Sequence, residues 1–281
     1  MSKIKIALGQ LLVEGGEPER NFERASKLIV DAKNNACDLI ILPECLDFGW
    51  THPSSIKEAQ PIPGNFSKIL CDEAKKNQIF ICAGLSEKDL EKNKNFNTAL
   101  LIDNNGKILS KYQKINVLKE ASDFYEIGQK LEVVDTPFGK IGLNICSDNY
   151  KDSIDIGIVL CRMGAQLILS PSSWTVDHSI TEEQDPYELK WANQFINLSK
   201  VFDIPIVSTT SVGYIVGGPY EGKKMVGCSI ATDKDGLITK GDFNEFASDI
   251  KFIDVELKTN KFKGTEIGPK IYETGFLSWK N

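Results

Sequence analysis

Histidine is almost missing from this chain: two residues, His52 and His178, occur among 281. A nucleophile activated by imidazole needs a histidine held beside it, and neither stands at the end of a strand-like run that would pair it with a reactive group. That disfavours a cysteine–histidine hydrolase. The same scarcity, with no Cys-x-x-Cys pair, leaves no credible ligand set for a metal. Also absent are a Gly-x-x-x-x-Gly-Lys-Ser/Thr loop and a Gly-x-Gly-x-x-Gly turn after a strand, the common phosphate cradles. No cofactor is expected.

Long apolar runs are lacking too. None approaches the roughly 18 residues of a membrane-spanning helix, and the opening MSKIKIALGQ enters a strand-like segment without the apolar stretch of a secretory signal. The reading is a cytoplasmic protein. An excess of positive charge is the last absence: 33 Lys and Arg stand against 39 Asp and Glu, a formal net charge of -6. The basic residues are scattered, which argues against nucleic acid or an anionic membrane as partner.

What is present is an ordinary globular composition, 41% hydrophobic and 26% charged, enough for a sizeable core. The seven cysteines, Cys37, Cys45, Cys71, Cys82, Cys146, Cys161 and Cys228, are odd in number and lie mostly within apolar runs. Reduced thiols without disulfides are expected.

Short β-rich runs alternate with amphipathic helical stretches. IKIALGQ (4–10) and DLIILPE (38–44) read as strands around a helix over 21–33, a β-α-β unit. Further helices are predicted over 65–77, 153–163 and 187–202. Strands are predicted at 79–85, 165–174 and 204–212, and hairpins over 97–112, 133–146 and 225–240, with turns at Asn105-Gly106, Pro137 to Gly139 and Asp235-Gly236. Strands joined by both helices and hairpins imply mixed sheets with helices outside. No repeat or linker divides the chain, so residues 1–281 are expected to form one domain.

Reactive groups in such folds sit where strands end, and three segments qualify. In LIILPECLDFGW an apolar strand runs out at Pro43 and leaves Glu44 in apolar company with Cys45, Leu46, Phe48 and Trp50, a setting suited to a general base. In KYQKINV, Lys114 follows an alternating strand. In GKIGLNICSDNY a strand delivers Cys146 to its end, followed by polar Ser147, Asp148 and Asn149. Taken singly, such residues are more often a solvated acid, a surface charge and a core thiol.

Their order and context together resemble the nitrilase superfamily of carbon-nitrogen hydrolases. The likeness rests on LPE at Glu44, YQK at Lys114 and TPFGKIGLNICSD at Cys146, with GAQLILSPSSW and MVGCSIATDKDG further along. It implies an α/β fold, a four-layer α-β-β-α sandwich of mixed sheets, and a Glu-Lys-Cys triad. Cys146 would attack the carbon of an amide, carbamoyl or nitrile group, Glu44 would move the proton, and Lys114 with the Ser147 amide would hold the oxyanion. Similar amidases carry a second glutamate after the lysine loop; Glu120 is the best match and Glu126 a rival. Trp174 and Phe48 are candidate pocket residues beside Ser147, although ordinary packing explains Trp174 equally well.

Departures bear on the substrate. Many relatives place an aromatic residue after the cysteine, where this chain has Ser147. Enzymes specialised for nitriles commonly have tryptophan then glutamate there, so a small linear amide or N-carbamoyl compound is favoured over a nitrile. A non-catalytic binding or assembly role for the fold is the remaining alternative. Relatives form homodimers or larger assemblies, and the tail over 260–281, with Ile271, Tyr272, Phe276, Leu277 and Trp279, is expected at such an interface.

Overall fold

The computed structural model describes residues 2–259 and 264–273. One six-stranded sheet runs β15 (Asp249–Leu257), β1 (Ser2–Gln10), β2 (Leu39–Ile41), β3 (Phe80–Asp89), β4 (Lys94–Ile102) and β5 (Ile108–Gln113). The other runs β14 (Gly236–Lys240), β13 (Ile230–Asp233), β10 (Ile206–Thr210), β8 (Leu167–Ser172), β7 (Gly139–Leu143) and β6 (Val133–Thr136). A small third sheet joins β11 (Val212–Tyr214), β12 (Lys224–Val226) and β9 (Thr175–Val176). Both large sheets are mixed: β1, β2 and β3 pair in parallel, as do β7, β8 and β10, while the outer pairings are antiparallel.

The period-two rule of strands decides the layers. Ile4, Ile6 and Leu8 of β1, Leu39 and Ile41 of β2, and Ala99 and Leu101 of β4 share one core with Ile141, Leu143, Leu167 and Leu169 of the second sheet. Their alternates, Ala7, Ile40, Ile81, Leu100 and Ile102, pack instead under helices α1 (Pro18–Asn34) and α3 (Asn65–Asn77). Helix α1 starts with Pro18 at its first position, where the missing N–H costs nothing. It buries Phe22, Ala25, Ile29 and Ala32, a stripe at helical spacing. A short helix α2 (Ser54–Glu58) precedes α3. On the far side, α4 (Asp155–Arg162) and α5 (Tyr187–Phe202) cover the second sheet through Leu160, Phe195 and Leu198. The result is the expected helix–sheet–sheet–helix sandwich.

The structure corrects two readings of the sequence. The run 225–240 is not one hairpin: the backbone turns left-handed at Gly227 (φ 73°) and Cys228 (φ 60°), so β12 goes to the third sheet and only β13 and β14 form the hairpin. The series also does not end at residue 240, because β15 pairs antiparallel along the whole of β1 and buries Ile253, Val255 and Leu257. Of the proposed interface tail, Phe276, Leu277 and Trp279 lie outside the described residues. On α6 (Ile267–Glu273) Ile271 is buried in the chain's own core, while Tyr272 is exposed.

Candidate active site

Glu44 reaches its place through a backbone zip that outlasts β2. Leu42 N–H donates to Cys82 O at 2.8 Å, Gly84 N–H to Pro43 O at 3.0 Å and Leu46 N–H to Gly84 O at 2.8 Å. Between these bonds Glu44 leans across to the other sheet, its N–H donating to Ser172 O at 3.3 Å. Behind the loop, buried Asn21 of α1 donates to Asp47 O at 3.0 Å. The carboxylate of Glu44 is almost wholly buried, and its Oε1 accepts Lys114 Nζ at 2.8 Å and Asn97 Nδ2 at 2.5 Å. Its Oε2 is buried with no donor of its own among the described residues.

Lys114 follows β5, with its N–H on Asn97 O and its carbonyl taken by Gly128 N–H, both at 2.8 Å. Only 2% of its surface is exposed. Burial pulls a lysine's pKa down, but here Glu44, and after it Cys146 and Asp148, outweigh that pull and hold it above the ordinary value. The ammonium is therefore a fixed positive charge in a buried site.

Cys146 opens a tight turn, Cys146–Asn149, just past β7, and takes the left-handed backbone at φ 45°. For a residue with a side chain that conformation is strained by about 1–3 kcal/mol and persists because the turn is tied down on all sides. Asn144 and Asn149 bond each other at 2.7 and 3.2 Å, Asn149 Nδ2 reaches Ser170 Oγ at 2.8 Å, and Ser153 Oγ donates to Ser147 O at 2.5 Å. Burial pushes the Cys146 thiol up to about 12, and the carboxylate of Glu44, within hydrogen-bonding reach, adds to the rise. Lys114 and the Ser173 N–H, which donates to the sulfur, pull the other way. At neutral pH this thiol holds its proton, with the Glu44 side chain beside it.

Of the other expected residues, Ser147 is at the site. Its hydroxyl donates to Asn116 O at 2.6 Å, and among the described residues no acceptor takes its backbone N–H. Phe48 is not: it is fully buried, edge-on to Phe66 of α3 with ring centroids 5.6 Å apart, on the helix side of the sheet. Trp174 is a core residue stacked on Trp191 at 4.8 Å and 12°. The ring with a partly open face on that stack is Tyr150, 4.6 Å from Trp191. Glu126 is on the surface, paired with Lys94 at 2.5 Å. Glu120 is exposed beside Tyr220 and, among the described residues, makes no hydrogen bond or ion pair with Lys114.

Neither histidine belongs here. His52 bonds Ser54 Oγ at 2.7 Å against Gly15 and Gly16, and His178 is exposed. The reading of the sequence missed Asn97, Ser173 and the complete burial of Asp148. Asn97 looks like any polar strand residue, and the amide of Ser173 has no side-chain signature.

The carbon-nitrogen hydrolase family model matches residues 5–261. A deaminated glutathione amidase of Dictyostelium discoideum is 30% identical over 92% of this chain and 89% of its own length. Shorter matches reach a nitrilase of Pyrococcus abyssi (30% identity, 63% of this chain, 67% of that one) and an omega-amidase of Xenopus laevis (28%, 63% and 66%), about two thirds of those proteins. A carbon-nitrogen hydrolase of Helicobacter pylori shares the fold at TM-score 0.79 and 18% identity, over 99% of this chain and 96% of that one. The chain belongs to the carbon-nitrogen hydrolase family of the nitrilase superfamily and is a hydrolase of carbon–nitrogen bonds.

Proposed function

We propose that the chain hydrolyses a small linear amide or N-carbamoyl compound through a thioester on Cys146, with Glu44 as general base and acid and Lys114 as oxyanion partner. The observation that carries this reading is the buried Glu44–Lys114 pair, 2.8 Å apart, whose charges both act on the Cys146 thiol. A buried ion pair is costly to desolvate and adds little to stability, so its presence beside a thiol argues for chemistry.

In the first half-reaction the thiol proton passes to Glu44 as sulfur bonds to the carbonyl carbon. The oxygen takes the displaced π electrons and is held by the Lys114 ammonium and the Ser147 N–H. Collapse of this adduct breaks the carbon–nitrogen bond, Glu44 gives its proton to the departing nitrogen, and ammonia or an amine leaves. Glu44 then takes a proton from water as the water oxygen adds to the thioester. The second collapse breaks the carbon–sulfur bond, releases the acid and returns the proton to sulfur. A carbamoyl substrate gives a carbamic acid, which decomposes to carbon dioxide and an amine or ammonia.

Likeness to amidases over most of the chain favours an amide. The nitrilase relative is the observation that keeps a nitrile as the second reading. Ammonia release across aliphatic amides, ω-amides, carbamoyl amines and nitriles tests both, with Cys146→Ala as control. Turnover of amides or carbamoyl amines that vanishes in the variant supports the proposal; turnover of nitriles alone moves it to the second reading, and a variant as active as wild type sinks the cysteine mechanism.

A further inference from the structure

Asp148 is fully buried two residues beyond Cys146. Its Oδ2 accepts the Tyr112 hydroxyl at 2.7 Å and the Ile145 N–H at 2.9 Å, and its Oδ1 accepts the Asn116 N–H at 2.9 Å. The Tyr112 oxygen in turn accepts the Ile115 N–H at 3.2 Å. Donors thus come from both sides of Lys114 and from the residue before Cys146. One carboxylate stitches the lysine segment to the cysteine turn, and Ser147 Oγ on Asn116 O adds a second stitch.

The charge of this group has a separate consequence. Burial raises the pKa of Asp148 above the ordinary carboxylate value, while Lys114, the Asn116 and Ile145 amides and the Tyr112 hydroxyl limit that rise by favouring the charged form. Lys114 feels that charge along with those of Glu44 and Cys146. In the proposed cycle Glu44 becomes neutral each time it carries a proton, so the direct partner of Lys114 loses its charge just as the oxyanion forms. Asp148 has no part in the proton traffic. The glutamate sought after the lysine loop does not supply the missing charge, since neither Glu120 nor Glu126 bonds Lys114 among the described residues.

We propose that Asp148 is a positioning residue for the hydrolysis: it locks the Lys114 segment against the Cys146 turn and provides the standing negative charge that keeps Lys114 an ammonium while Glu44 is protonated. This inference rests on the roles proposed for Cys146, Glu44 and Lys114.

The test is the pH dependence of kcat and KM for wild type, Asp148→Asn, Tyr112→Phe and Cys146→Ala, with thermal unfolding to report the fold. Asp148→Asn is expected to lower kcat roughly 100-fold, the scale of a lost oxyanion donor, with little change in KM. It also moves the alkaline limb to lower pH, because a lysine without that charge loses its proton more easily. Tyr112→Phe keeps the charge and removes one donor, so it moves the acid limb to higher pH with a smaller loss of kcat. A folded Asp148→Asn whose alkaline limb stays in place overturns the proposal, and so does a Tyr112→Phe profile identical to wild type. Should Asp148→Asn not fold, Tyr112→Phe decides alone. Failure of the catalytic assignment reads differently, since wild type and Cys146→Ala would then turn over alike.

Discussion

Gly84 and Glu44 meet backbone to backbone: a Cβ on Gly84 would lie 2.7 Å from Glu44 Cα and 3.0 Å from Cys45 N. Rigid backbone on both sides leaves it no room, so Gly84→Ala must push the Glu44 loop away from Lys114 and Asn97. A stability loss of about 1–3 kcal/mol is expected from the overpacking. The shift in Glu44 is expected to cost up to about 100-fold in kcat. Steady-state kinetics with thermal unfolding checks this, and an unaltered kcat would show that the loop tolerates the extra methyl.

Removing the lysine separates stability from chemistry. Lys114→Met leaves the buried Glu44 carboxylate without its cation, at a cost of about 3–5 kcal/mol. Adding Glu44→Gln neutralises the orphan and is expected to restore much of that stability while activity stays absent. Denaturant unfolding of Lys114→Met, Glu44→Gln and the double variant measures the coupling; a double variant no more stable than Lys114→Met would mean that the loss comes from packing.

Glu44 has opposite effects on the two properties of Cys146. In the proposed cycle it is the base, yet its charge is among the causes that push the thiol up to about 12. Glu44→Gln removes a raising cause and leaves Lys114, so the thiol pKa should fall. Expected are more thiolate, seen by ultraviolet absorbance, and faster alkylation at mildly alkaline pH, in a variant that no longer hydrolyses substrate. Slower alkylation than wild type at every pH would contradict the arrangement.

Behind Glu44, Asp47 is fully buried and burial raises its pKa to about 7, although Phe48 N–H and the N–H and hydroxyl of Ser86 donate to it. The folded state therefore binds this proton more tightly than the unfolded chain, whose carboxyl has the ordinary value of 3.8. That contribution to stability is complete below the ordinary value and is lost as pH rises through about 7. In Asp47→Asn this part of the pH dependence should disappear. Unfolding free energies across pH 4 to 8 decide it, and parallel curves for the two proteins would count against a protonated Asp47.

Much of this was legible in the sequence because it depended on period and position. Short apolar runs with polar bounds marked β1, β2 and β3, and Glu44, Lys114 and Cys146 each follow a strand-like run, apolar before Glu44 and alternating before the other two, so their convergence followed once the strands were placed. What escaped reading depended on side-chain direction or on partners remote in sequence. Phe48 shares its loop with Glu44 but turns to Phe66, and Trp174 turns into the core against Trp191. Asn97 matters because β4 carries it beneath Glu44, a register that no local pattern encodes. β15 carried a usable signal in the alternating Ile253, Val255 and Leu257, but its partner lies at the opposite end of the chain.

Glu44 and Lys114 ride on one sheet, while Cys146 and Ser173 ride on the other. The geometry of the proposed reaction belongs to neither half and exists only while the two inner faces stay in contact. Turnover is thus a gauge of how firmly the halves are closed: hydrostatic pressure or mild denaturant that parts them would silence hydrolysis while each sheet still holds its own hydrogen-bond ladder.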